Sequence, residues 1–427
     1  MVVRHKLVSA VQKAGLYPLA RALYNRIQAT TSGSKRYRKD LGEILSFQNV
    51  PVVPYESLID RFNGLSIHHG GPIWPDWSTQ TEARHCRDGS PSDDLPSRPN
   101  DIFEKTEDLS IWGGAICTHF GHQIADFSTR ILQSKTAYPN AQFLFSAKSD
   151  AKITTIEQTP PFFRSILDWY DLKPDQVKIV SQPLLVRQLL VAPQAEQLSN
   201  CGPSSEYLDL MDAHVDRKLT LPSRQGTVFV SRAGLKARFA GEFYLEQLMQ
   251  ENGIKIIRPE TMPLKQQLAE YSCADRLIFS EGSAVHGLQL LGRSLGEVQI
   301  INRRPRHQLA KNALKARAKS LAYVDLVQGV LHGFTTFGTA KSWNALTVLK
   351  EEALVDYLHS LSPKLKQHWN HSAYIEHRDR DVLVWIDRER QTGGLLDSLS
   401  DKQISRQLRS VQLAHLIPSV LAHDRLA

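Results

Sequence analysis

The sequence predicts an α/β protein of two facing Rossmann-like units, with a basic helical arm before them and a mostly helical extension after them. Three observations carry this expectation. Short apolar runs alternate with amphipathic segments from about residue 140 to 305, the rhythm of parallel sheets with right-handed crossovers. The predicted strands, as in "GTVFVSR" and "DRLIFSEGS", are nearly unbroken apolar runs, as expected where both faces of a sheet are covered. A chain of 427 residues also exceeds one ordinary core.

The arm, residues 1–40, spaces Val3, Leu7 and Val11, then Leu19, Leu23 and Ile27, at helical intervals around Pro18. It holds nine Lys/Arg and one acid, so 43 of the 52 basic and 43 of the 44 acidic residues fall in the rest of the chain. The net charge of +8 therefore belongs to the arm. This argues against nucleic acid as a partner. It leaves two readings of the arm, contact with an anionic membrane surface or packing against the body.

The first unit is expected over 41–205. "AQFLFS", "VKIVS" and "LLVRQLLVAP" read as strands and "PPFFRSILDWYDL" as a helix. "RDGSPSDDLPSRPND", Arg87 to Asp101, reads as a surface loop or linker. Trp74 and Trp77, set among Gly and Pro, read as loop anchors in preference to a sugar platform. The helix "SEYLDLMDAHVDRKLTL" leads into the second unit, 206–330. There "GTVFVSR", "IKIIRPE", "DRLIFSEGS" and "EVQIINR" are strands, and "GEFYLEQLMQENG", "PLKQQLAEYSCA" and "HGLQLLGR" are helices. In the extension, 331–427, "SWNALTVLKEEALVDYLHSL" reads as an amphipathic helix, "RDVLVWIDRER" as a strand and the last segment as helix.

Composition bounds the function. With 41% hydrophobic and 22% charged residues the chain is globular. Its four cysteines lack C-x-x-C spacing, which argues against a zinc cage or a disulfide framework and fits a cytoplasmic protein. No apolar run reaches the roughly 20 residues that span a bilayer.

Ligands of such sheets bind beyond the carboxyl ends of the strands, which directs attention to three stretches. "VFVSRAGLKARFAGE" supplies Arg232, Lys236 and Arg238 after a strand, with neither G-x-G-x-x-G nor a Walker sequence. Side-chain cations would have to meet any diphosphate there, and they can stabilise its departure without a metal. "IFSEGSAVHG" sets Glu281, Gly282, Ser283 and His286 in a strand-to-helix turn. Gly282 admits a close ligand, and the Glu281 carboxylate can accept two ribose hydroxyls.

"ICTHFGHQIADFSTRIL" puts His122, Asp126 and Arg130 on one helical stripe, opposite Ile124, Phe127 and Ile131. Spacing leaves two readings open, a solvated face with an Asp126–Arg130 pair and a general base whose imidazole is oriented by an acid. His119 and His122 resemble two metal ligands, but no third ligand stands at a fixed spacing and the pair lacks the i,i+4 geometry of zinc peptidases. No metal is expected.

Taken together, the three stretches resemble family 61 glycosyltransferases, in particular the bacterial polysaccharide-biosynthesis members. His122, Asp126 and Arg130 match the family's first block. Arg232, Arg238 and Glu242 match the second, with Gly241 where an Asn is often found. Pro259, Glu260, Gln267, Gly282, Ser283 and His286 match the third, with Glu281-Gly282-Ser283 replacing a common His-Gly-Ala turn. The resemblance covers roughly residues 110–305. It implies a GT-B fold and inverting, metal-independent transfer from a nucleotide sugar to a glycan or glycolipid hydroxyl, with no cofactor. It places the acceptor on the first unit and the nucleotide on the second. His122 or Asp126 would be the base, with His119 and Arg130 positioning the acceptor. Arg232, Lys236, Arg238, Glu281, Gly282, Ser283 and His286 would hold the donor. A non-catalytic carbohydrate-binding protein on the same fold and a metal-dependent hydrolase using His119 and His122 are the rival expectations.

Overall fold

In the computed structural model the described residues are 40–58, 68–102, 104–198, 201–220, 222–335, 338, 340–393 and 400–423. The basic arm lies outside them, apart from Asp40. No helix among the described residues is long and apolar enough to cross a membrane.

Two sheets organise these residues. The first holds strands β1 (Leu45–Ser57), β2 (His68–Pro72), β3 (Asp93–Asp94), β4 (Glu104–Ile116), β5 (Gln142–Ala147), β6 (Val177–Val180) and β7 (Leu184–Val191), in the order β3-β2-β1-β7-β4-β5-β6. It is mixed. β4 runs parallel to β5 and β7, and β5 parallel to β6, but β1 is antiparallel to both β2 and β7. The Rossmann-like unit expected here is parallel only over β7-β4-β5-β6, which run to one edge of the sheet. Part of the stretch read as a surface loop or linker is paired: Asp93 lies beside His68 in this sheet, and Cys86–Arg87 forms a separate two-stranded ladder with Ser90–Pro91. Trp74 is buried against Phe47, and Trp77 stacks under Arg84, so both tryptophans anchor the fold.

The second sheet is parallel throughout, as expected. It holds β8 (Thr227–Val230), β9 (Lys255–Ile257), β10 (Arg276–Ser280), β11 (Leu295–Ile301) and β12 (Ala318–Val324), in the order β9-β8-β10-β11-β12. Helices α1 (Ile131–Ala137), α2 (Pro161–Trp169), α3 (Ser205–Lys218), α4 (Glu242–Glu251) and α5 (Leu264–Cys273) form the crossovers and connections. The expected helix at "HGLQLLGR" is a 3-10 stretch, Ser283–Leu290.

The extension departs from expectation in two places. "SWNALTVL" is not helical but lies in the hairpin of β13 (Val327–Phe334) with β14 (Ala340–Leu349), and α6 begins only at Glu351 (Glu351–Leu361). "RDVLVWIDRER" lies within the long helix α7 (His371–Gln391). There Val382, Trp385, Ile386 and Glu389 are buried at spacings of three and four. That helical period outweighs the β-branched composition of the short run. The final segment is helical at α8 (Ser400–Ser410) and after it, as expected.

One apolar core runs beneath both sheets, from Phe143, Phe163 and Trp169 on one side to Leu268, Leu277 and Leu288 on the other. Across it lies an ion pair without solvent access. Arg317, just before β12, donates to both oxygens of Glu196, beyond β7, at 2.9 and 3.0 Å. Side-chain exposures are 0% and 2%. Arg317 also donates to the carbonyls of Leu291, Ala313 and Gln289, so both charges are fully engaged. Removing one partner leaves an uncompensated buried charge. Glu196→Ala is therefore expected to lower stability by about 3–5 kcal/mol, read as a fall in the urea midpoint.

Candidate functional site

The opening of the site is set by the exit of β4. Instead of one continuous helix, the chain makes a helical turn at Phe120–His122, a π turn at Gln123–Phe127, and restarts as α1 at Ile131. Gln123 holds this arrangement. Its side chain accepts from the Cys117 N–H at 2.8 Å and donates to the Ala115 carbonyl and Ser128 Oγ. His119 caps the first turn by accepting the His122 N–H at 3.4 Å. Such π turns are frequent at functional sites.

Asp126 is consequently buried, at 1% exposure, not part of a solvated stripe. Its Oδ1 lies 2.8 Å from His85 Nε2, and its Oδ2 accepts two hydrogen bonds from the Arg87 guanidinium, one from Nε at 2.9 Å. Burial alone would raise its pKa, but the charge of His85, with that of Arg87, holds it well below the usual carboxylate range. Both Asp126 oxygens are engaged and buried, so neither is free to take an acceptor proton, unlike the share in the base role expected for it. His122 Nδ1 sits 3.8 Å from Asp126 Oδ2, an electrostatic contact beyond hydrogen-bond reach. The His122 side chain is partly exposed, which leaves Nε2 for a ligand.

Arg130 is corrected too. Its guanidinium is buried and turned to backbone carbonyls, not to Asp126 or to an acceptor. It donates to the carbonyls of Ala192, Glu82, Ala83 and Arg84. It thereby fixes the segment that delivers His85 and Arg87. Gln194 helps, accepting from the Cys86 N–H at 2.6 Å and donating to the Asp126 carbonyl.

On the other side, Glu242 is the organising acid. Fully buried, it accepts from the backbone N–H groups of Arg232 (2.8 Å) and Phe239 (2.9 Å) and from the hydroxyls of Ser231 and Ser280. Arg232 emerges at the carboxyl end of β8 and donates to the Ala237 carbonyl. Its guanidinium lies on Gly282, where an added Cβ would come within 2.0 Å of Arg232 Nη1; only glycine permits this approach. Gln267 donates to the carbonyls of Pro259 and Met262 and shapes the Pro259–Thr261 turn. Lys236 is exposed.

Arg238 and Glu281 differ from their expected donor contacts. Arg238 is buried and donates to Asp381 of α7 at 2.9 Å and to the Leu235 carbonyl. Glu281 has no oxygen free for a ribose. It accepts from the N–H groups of Arg303 and Arg304, from the Arg304 guanidinium, and from His307 Nδ1 at 2.8 Å. Burial raises its pKa, but the His307 hydrogen bond and the Arg304 charge prevail and hold it at about 2. Glu281 thus gathers a basic turn beside Arg232. Burial and the nearby Arg232 charge lower the pKa of Arg303 to about 10.

The two sides meet. A Cβ on Gly121 would come 2.8 Å from His286 Cδ2 and 3.2 Å from Ser283 Cβ, so the turn that carries His119 and His122 packs directly on the Gly282–His286 turn. His286 is buried and hydrogen-bonds Gln289 Oε1 at 2.7 Å through Nδ1. Burial takes its pKa down to about 4, with His122 and His119 adding to the effect, so it is neutral near pH 7. It joins the two turns, which leaves it no free Nδ1 for a nucleoside.

Sequence reasoning did not single out His68, His85, Arg87, Arg303, Arg304 or His307. For "NRRPRH" a signal was present, since it follows β11 at its carboxyl end as "SRAGLKAR" follows β8. For His68, His85 and Arg87 there was none, because only pairing in space brings them to Asp126.

The carboxyl-end turns of two α/β sheets meet here, one bearing the partly exposed His122 and the other clustered arginines. Residues 120–292 match the family model for glycosyltransferase 61, the family whose motifs the sequence resembles. The match supports glycosyl transfer as the general activity. No curated protein matches the chain. Among solved structures, a glycosyl transferase family 9 protein from Veillonella parvula is similar at 11% identity, over 51% of this chain and 86% of that one, with a TM-score of 0.24. A likeness this slight carries no argument.

The Glu281 network has a measurable consequence. Its folded pKa lies below the unfolded carboxylate value, so its contribution to stability is complete above roughly pH 5 and is lost as pH falls toward 2. The stability gap between wild type and Glu281→Gln should therefore be largest at neutral pH, on the order of 3 kcal/mol, and close on acidification. Urea denaturation at a series of pH values checks this.

Proposed function

We propose that the protein is an inverting glycosyltransferase of GT-B architecture that moves a sugar from a nucleotide-sugar donor to a hydroxyl of a glycan or glycolipid acceptor in surface polysaccharide biosynthesis. The observation that carries this reading is the meeting of the His122 turn with the Gly282–His286 turn, beside Arg232 and the Arg303–Arg304 turn. The first sheet would serve the acceptor and the second the donor. Residues 1–40 would add peripheral contact with an anionic membrane on its cytoplasmic face.

The transfer is a single displacement. His122 Nε2 takes the proton of the acceptor hydroxyl while that oxygen bonds to the anomeric carbon. The bond from that carbon to the diphosphate oxygen breaks on the opposite face, and configuration inverts. Asp126, held by His85 and Arg87, stabilises the imidazolium that forms. Arg232 and Arg304, with Arg303 behind them, meet the charge that develops on the leaving diphosphate, so side-chain cations serve where other enzymes use a metal. His119 and Ser283 line the join between the two sides.

General-base assistance is worth roughly 10²–10⁴-fold. His122→Ala is expected to lower kcat by about that factor with donor binding kept, and unchanged turnover would remove His122 from the role. In a thermal-shift panel of nucleoside diphosphates and nucleotide sugars, at least one should raise the wild-type Tm, and Arg232→Ala should abolish the shift. A panel without any shift would count against the donor site itself. A shift without transfer to any acceptor would favour a carbohydrate-binding protein.

A further inference from the structure

His68 stands out among the described residues. It lies on β2 at 0% exposure, and neither ring nitrogen has a hydrogen-bond partner. A buried polar group left this way is costly. Its ring lies 4.5 Å from that of His85 and 5.2 Å from that of Phe127, which also stacks on His85 at 4.8 Å. One nitrogen from each of His68 and His85 and one carboxylate oxygen of Asp126 lie within 4.8 Å of one another. A cavity of about 20 Å³ adjoins two of the three, His85 and Asp126, and is also lined by Phe127, Tyr55 and Arg130, enough for one ion or water.

We propose that His68, His85 and Asp126 bind a divalent transition-metal cation, zinc by the character of the donors, at a site separate from the donor diphosphate. Two imidazoles and a carboxylate are a zinc-type set. The orphaned nitrogens of His68 supply the second, independent sign of a missing partner. His85 Nε2 and Asp126 Oδ1, 2.8 Å apart, stand at nearly the separation of two ligands on one ion. A tetrahedral zinc holds its ligand atoms about 3.3 Å apart, so the His68 ring needs only a modest rotation to close the set. Binding replaces the His85–Asp126 hydrogen bond.

Arg87 does not compete for the same oxygen. It donates to Asp126 Oδ2, the oxygen that also faces His122, while Oδ1 faces His85 and the proposed ion. A ligating carboxylate is commonly hydrogen-bonded through its other oxygen in this way. The Arg87 charge still repels a cation, so binding is expected at micromolar strength or somewhat tighter. The ion would tie β2, the Arg84–Arg87 segment and the π turn together behind His122. Its role is structural, since it fixes the carboxylate that faces His122.

The test uses the full chain, freed of any polyhistidine tag, and does not depend on the transferase reading. After dialysis against a chelator, zinc is titrated back, followed by calorimetry and by elemental analysis after gel filtration. About one zinc per chain is expected, with a higher Tm, and with at least tenfold weaker uptake in His85→Ala and His68→Gln. Zinc-edge X-ray absorption on the wild type should count two imidazole ligands, which keeps the proposal testable if either variant fails to fold. A folded wild type that takes up no zinc at roughly tenfold molar excess would overturn it. So would undiminished uptake in both variants, or fewer than two imidazoles on the bound ion. The nucleotide thermal shift, run on the same sample, reports separately on the donor site.

Discussion

The buried carboxylate of Asp126 is the constraint on which the site depends. A charge with almost no solvent access persists only when its oxygens are engaged, and here His85 and Arg87 engage both. Meeting that need brings residues of a turn-rich segment onto a helix start about forty positions later. Arg130 and Gln194 hold that segment, one through three of its backbone carbonyls and the other through Cys86. The π turn follows from the same demand, because it carries Asp126 inward while His122 stays partly exposed.

The second sheet solves a parallel problem with two other acids. Glu242 ties the ends of β8 and β10 to the start of α4, and Glu281 gathers the backbone and side chains of the turn after β11. In both, a buried carboxylate organises cationic loops at the carboxyl ends of parallel strands. The arginines so presented are costly to crowd together, and the shared anion offsets their repulsion.

The extension also reaches this machinery. Asp381 of α7 accepts from Arg238 and from the Gly241 N–H, beside the N-terminus of α4. The loop from Arg232 to Gly241 is thus held from below by Glu242 and from behind by α7. Together with the Glu196–Arg317 pair beneath the sheets, these contacts make the carboxyl-end turns a preorganised surface.

Much of this was legible in the chain. Near-continuous apolar runs marked the strands of the parallel sheet, because strands covered on both faces admit few polar residues. The carboxyl-end rule located Arg232 and the Gly282 turn. His122 and Asp126 were visible as a spaced pair, but their chemistry was not, since periodicity alone cannot tell a solvated stripe from a buried anion. The hairpin at 327–349, the helix at "RDVLVWIDRER" and the partners of Asp126 were decided only by tertiary structure. Local pattern records which residues prefer burial. Which buried charge meets which cation across forty or a hundred positions is set when the sheets close, because only then does desolvation make each unpaired group costly.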